Sequence, residues 1–237
     1  MMPTNQPPSP PHRIVVLACR VFQNWLEHLF PEGLASEITF FDYGLHAIPK
    51  NLRQTLQSAI DAIEQPSLVV FGYGLCGNGL DNLQAGKHTL LVPRTDDCIA
   101  IILGSYAAYR REFDHEPATY YLSKGWLESA SNPLREYQKY LEKYGPEQAE
   151  FLMDYQYHNY RRLALIVQNL QDLETYRLEA REVAEYCQRW GMRYEEIIGT
   201  DEMLRRLVET AAALDKAGED FLVIPPGGMI QQSQFLR

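Results

Sequence analysis

The 237-residue chain is poor in cysteine, has no long apolar run and carries no surplus of positive charge. Four cysteines in a chain this long, without an export signal, lead to the expectation of reduced thiols in the cytoplasm. No stretch approaches the roughly eighteen continuous apolar residues of a membrane span, so no membrane partner is expected. Lys and Arg number 22 against 31 Asp and Glu, a formal net charge of −9. Affinity for DNA or RNA comes from clustered basic side chains that neutralise phosphates, so nucleic acid is not the expected partner. A small-molecule substrate or cofactor is. The opening residues 1–12, MMPTNQPPSPPH, lack the cationic start and apolar run of a secretory signal. Their five prolines read as a disordered leader with polyproline character. What is plentiful is apolar material, 46% of residues, enough to offset chain entropy in a folded unit over residues 13–237.

Behind the leader, short β-rich runs alternate with longer helical patterns. That rhythm predicts an α/β fold with a mostly parallel sheet and flanking helices, Rossmann-like in plan. IVVLACR begins the series, and Phe22, Trp25, Leu26 and Leu29 then share one helix face. ITFFDY is the second strand. Pro49 suits the first position of a helix reaching about Glu64. LVVFGYG and TLLVPR are the third and fourth strands, and Asp96 or Asp97 is placed to cap one helix through DDCIAIILGSYAAYRR. ATYYLSKGW reads as a fifth strand. A tyrosine-rich helical region over residues 133–162 is expected to break near Gly145-Pro146. The βα rhythm then returns and closes on FLVIPPG. The chain therefore forms either two lobes, 13–130 and 163–237, joined by the 133–162 helices, or one continuous sheet.

Three cysteines take equivalent places in this plan. Cys19 ends the first strand, Cys76 follows the third, and Cys98 follows the fourth at a helix start. Ligands of open parallel sheets bind beyond the carboxyl ends of the strands, so all three thiols belong on one rim. Thiols converging in a reducing compartment point to a metal, and His46, just past the second strand, offers a fourth donor. Three thiolates and one imidazole suit tetrahedral zinc, the first choice; three cysteines alone suit an iron–sulfur cluster with an open iron. Against this stands the plain alternative that each free Cys is a small buried hydrophobe. Cys187, inside a helix pattern, reads as packing.

FGYGLCG also spells G-x-G-x-x-G with Gly72, Gly74 and Gly77, and Asp96 follows at about the spacing of a dinucleotide fingerprint. Nucleotide binding through this loop, with structural cysteines, is the competing reading. The segment after it is too short and too rich in Gly and Asn for a good crossover helix. Asp97 is a candidate general base, with Asp96 beside it, and Arg94 a candidate clamp for a carboxylate or phosphate. A helix cap with a local ion pair would account for the same residues. TYYLSKGW is either a pocket wall or a buried strand.

The segments ACRVF, LHAIPKNL, FGYGLCGNGL, VPRTDDCIAIILGS and TYYLSKGW resemble the bacterial and archaeal domain-of-unknown-function family 1638. A looser likeness continues through EEIIG and FLVIPPGG. The resemblance implies that Cys19, His46, Cys76, Arg94, Asp96, Asp97 and Cys98 belong to the family pattern, and it names no substrate. Some members are encoded near corrinoid-dependent methyl-transfer proteins, which implies a methyl-transfer or one-carbon link. The whole reading is a metal- or cofactor-handling protein, catalytic or not, with its centre at a sheet rim.

Overall fold

The computed structural model describes residues 13–237; the expected leader, residues 1–12, lies outside the described residues. β1 (Arg13–Cys19) is a near-continuous apolar run with six of its seven residues buried, as a strand covered on both faces requires. A 3₁₀ turn over Arg20–Phe22 leads into α1 (Gln23–Leu29), and Phe22 and Leu26 are fully buried. β2 (Glu37–Phe41) is only half-buried, because it lies at the sheet edge. Pro49 opens α2 (Pro49–Asp61), and Leu52, Leu56 and Ile60 send one face into the core. β3 (Ser67–Gly72) is buried along its whole length and β4 (Thr89–Pro93) nearly so.

After β4 the expected single helix is two. α3 (Cys98–Ile102) stops and α4 (Tyr106–His115) starts again after Gly104-Ser105. Gly104 adopts φ +88°, a helix-ending conformation, and the Ser105 hydroxyl accepts from Ala108 N at 3.0 Å as a new N-cap. β5 (Thr119–Ser123) gives way at once to α5 (Lys124–Glu128). α6 (Pro133–Tyr144) and α7 (Pro146–Tyr157) are divided at Gly145. Then come β6 (Arg162–Val167), α8 (Leu170–Cys187), β7 (Arg193–Ile198), α9 (Glu202–Ala212) and β8 (Phe221–Ile224).

The strands form two sheets, ordered β2-β1-β3-β4-β8 and β5-β6-β7. All pairings are parallel except β4 with β8. The division does not follow the boundaries 13–130 and 163–237. β5 pairs with β6 in the second sheet, and the chain returns at its end, so that α9 packs Met203, Leu204 and Leu207 into the first core while β8 extends the first sheet. The lobes meet at the carboxyl ends of their strands. Gln168, just past β6, donates from Nε2 to Val21 O at 2.6 Å, and Thr200 N, past β7, donates to Ile102 O at 2.8 Å. Among the described residues no helix is long and apolar enough to cross a membrane.

Candidate functional site

The first sheet runs outward from β1 to β2 on one side and to β3 and β4 on the other. Strand order thus reverses between β1 and β3, and the crevice beyond such a reversal is where open parallel sheets hold ligands. Cys19 is the last residue of β1, Cys76 lies in the loop after β3, and Cys98 opens α3. His46 comes from the 3₁₀ turn Tyr43–Ala47 after β2, which Asp42 fixes by accepting from Gly44 N at 2.8 Å. A water-sized recess of about 20 Å³ is lined by Cys19, Tyr43, His46, Cys98 and, from the second lobe, Ser123 and Gly125. A hollow of about 280 Å³ is lined by His46, Cys76, Gly77, Asp97, Cys98 and Trp126. The three thiols and the imidazole therefore border adjoining spaces closed by the segment after β5. They do not form a finished cage: among the described residues, no three His, Cys, Asp or Glu side chains are grouped so as to hold a metal ion.

Burial dominates the electrostatics. It pushes the Cys19 thiol up to about 12, and it drives Cys76 and Cys98 well above the ordinary thiol range, reinforced by the repulsion that thiolates formed side by side and the Asp97 carboxylate would exert. Without a cation these groups are thiols, not nucleophilic thiolates. Burial also lowers the His46 imidazole, whose Nε2 is buried without a hydrogen-bond partner. Tyr73, 1% exposed, meets His46 edge-on at 5.7 Å between ring centroids, and its hydroxyl is likewise unpartnered. Buried polar atoms are nearly always satisfied, so two such orphans in edge-on contact leave polar capacity at this rim that a water or a bound group could take up. Asp97 caps α3, accepting from Ile99 N at 2.9 Å, and burial raises its carboxyl to about 6.

Cys76 has φ +49°, in the left-handed region that disfavours residues bearing a Cβ. Strain of this kind survives only where the surroundings hold it: Cys76 N donates to Asp96 O, and Leu75 N to Thr95 O, both at 2.8 Å. Cys76→Gly is therefore expected to be more stable than Cys76→Ala by about 1 kcal/mol, the reverse of the usual order. Urea titration of the two variants checks this; equal stabilities would mean the turn carries no strain.

The remaining candidates scatter. Arg94 does not face the hollows: its Nε and an Nη bind Gln234 O and Leu236 O, each at 2.6 Å, and so it pins the C-terminal segment. Asp96 is exposed and lines none of these hollows, although its carbonyl anchors Cys76. Gly72 and Gly74 are required by packing. A Cβ on Gly72 would stand 2.5 Å from Ala18 Cβ, and one on Gly74 would stand 2.6 Å from Thr95 Oγ1. Only Gly77, at φ +62°, borders a hollow. β3 and β4 are joined by turns with no helix between them, so the loop has no helix N-terminus to receive a pyrophosphate. Cys187 is fully buried in the second core. Tyr43 and Tyr73 escaped the sequence reading; the one available signal was a bulky aromatic set between the two glycines of FGYG.

Residues 40–208 match a family model described as a protein of unknown function, DUF1638. The chain belongs to this family. No curated protein and no solved structure matches it. The DUF1638 match takes in His46, Cys76, Cys98 and Trp126, and it begins beyond Cys19. It spans the whole second sheet but stops before β8, so the strand that closes the first sheet lies outside it.

Proposed function

We propose that this DUF1638 protein handles a soft metal ion, or a cofactor carrying one, at the rim between its lobes. Cys19, Cys76 and Cys98 would supply thiolates and His46 the imidazole, with zinc the first choice and an iron–sulfur cluster the second. The observation that carries this is an unpartnered, buried His46 Nε2 on the same hollows as three thiols, where the strand order reverses. Soft donors of this kind select zinc or iron over magnesium or calcium. Loading would draw the side chains inward from their present spacing and release the thiol protons, because a cation reverses the burial penalty that keeps them neutral. A bound zinc would supply Lewis acidity or activate a thiol or water, which fits the methyl-transfer or one-carbon link implied by the family resemblance. Asp97, at the edge of the same hollow, is positioned to accept a proton from a bound group.

Metal analysis of anaerobically purified protein tests the proposal. Stoichiometric zinc or iron is expected in the wild type and less than about a tenth of it in Cys98→Ser, by analogy with the loss seen when metal-site partners are removed. A broad absorbance near roughly 400 nm would assign a cluster and a colourless protein zinc. Wild-type protein that holds neither metal, as purified and after anaerobic reconstitution, overturns it.

A further inference from the structure

Past Cys98 and Trp126 the cleft continues into a second chamber of about 360 Å³, which the metal proposal does not use. Its walls include Tyr120 and Tyr121 of β5, Tyr157 at the end of α7, and Tyr160 just beyond it. Tyr120 meets Tyr157 and Tyr160 edge-on, each at 5.6 Å between centroids, with interplanar angles of 73° and 85°, while Tyr157 and Tyr160 are tilted by 39° to each other. Glu136 shares the wall, and its carboxylate accepts from the Tyr157 hydroxyl at 2.6 Å. Asp97 lies at the end shared with the thiol rim, and neither Lys nor Arg is among the lining residues.

We infer that this chamber binds an organic cation, an amine or substituted ammonium, with its charge among the tyrosine and tryptophan rings and balanced by Glu136. Aromatic faces carry negative quadrupole charge and attract cations, most strongly in sites closed off from water. The packing of Tyr120 against Tyr157 and Tyr160 sets rings at several orientations around one space, as a rounded cation requires. A neutral aromatic ligand would use the rings but leave Glu136 without a counter-charge. An anion would meet two carboxylates and no base. The inference goes beyond the metal proposal and does not depend on a metal being bound.

Calorimetric titration of chelator-stripped protein with tetramethylammonium and benzylammonium tests it, with tert-butanol and benzyl alcohol as uncharged counterparts. Dissociation constants below about 1 mM are expected for at least one cation, with its uncharged counterpart at least tenfold weaker. Glu136→Gln keeps a partner for Tyr157 and is expected to weaken the cation about tenfold while leaving the metal content of unstripped protein unchanged; Tyr160→Leu should do the same. Circular dichroism establishes that each variant is folded, and the glutamine variant decides should the leucine variant fail to fold. If neither cation binds, or if each binds no better than its uncharged counterpart, the inference is wrong, whatever the metal analysis shows.

Discussion

Gly199→Ala is expected to destabilise the protein by about 3 kcal/mol and to lower its melting temperature by about 6–12 °C. Gly199 follows β7, where the second lobe meets the first. A Cβ there would lie 2.1 Å from Ile102 O, 2.9 Å from Ile102 C and 2.6 Å from Ile102 Cγ2. Two of those three atoms are backbone, so no side-chain rotation relieves the clash. The two backbones are also tied together at this point, because Thr200 N donates to Ile102 O at 2.8 Å, while Gly199 N donates to Val167 O at 2.8 Å. The end of β7 must therefore move away from the end of α3, which parts the lobes along the cleft. Cys98 sits at the start of that same short helix, so its thiol should react faster with an aromatic disulfide reagent in the variant than in the wild type. Calorimetry and thiol kinetics together make the check. A variant melting within about 2 °C of wild type would show that the lobes are not pressed together at this point.

That junction was not legible beforehand, and the reason is physical. Strands buried on both faces announce themselves as unbroken apolar runs, which is why β1 and β3 could be read directly. Helix starts and breaks made by one residue's backbone chemistry were nearly as plain: Pro49, the interruption at Gly145, and a cap at Asp96 or Asp97, of which the structure uses Asp97. Partner choice between strands is different. FLVI carries no mark of direction, and its antiparallel pairing with β4 is a tertiary matter. The same holds for β5, whose apolar pattern suits either sheet. Gly104-Ser105 could have been read as a stop and a start, but the apolar periodicity continues across it and masks the break.

The site divides along the same line. That Cys19, Cys76 and Cys98 share a rim follows from strand ends alone, by the geometry of parallel sheets. Whether thiols on a rim stand at ligand spacing depends on loop positions and rotamers that no periodicity encodes, and here Cys19 borders one recess and Cys76 the next, with Cys98 on both, without closing on one point. Arg94 illustrates the limit: its partners Gln234 and Leu236 lie some 140 residues later in the chain. The tyrosines of the 133–162 region were conspicuous as composition. Only the packing of α7 beside β5 makes Tyr157 and Tyr160 into the walls of a chamber.

Gly72→Val carries the second large effect and separates the two readings of the glycine loop. Gly72 lies opposite Ala18 in the parallel pairing of β1 and β3, at the centre of the first sheet. A Cβ at this position would meet Ala18 Cβ at 2.5 Å, Ala18 Cα at 3.2 Å and Leu26 Cδ1 at 3.2 Å. Ala18 and Leu26 are themselves fully buried, so neither can yield into solvent. Valine adds two further carbons, and the strands must separate beside Cys19 and Tyr73 to admit them. A loss of about 3 kcal/mol or more follows, read as a lowered urea midpoint. A nucleotide held by this loop would stabilise wild-type protein by about 2.7 kcal/mol at a hundredfold excess over its dissociation constant. Because Gly72 and Gly74 are already occupied by packing, NAD and ATP are expected to leave the wild-type midpoint unmoved. A valine variant as stable as wild type would remove the packing explanation. A wild-type midpoint raised by NAD or ATP, together with a variant that loses this response, would return the loop to nucleotide binding.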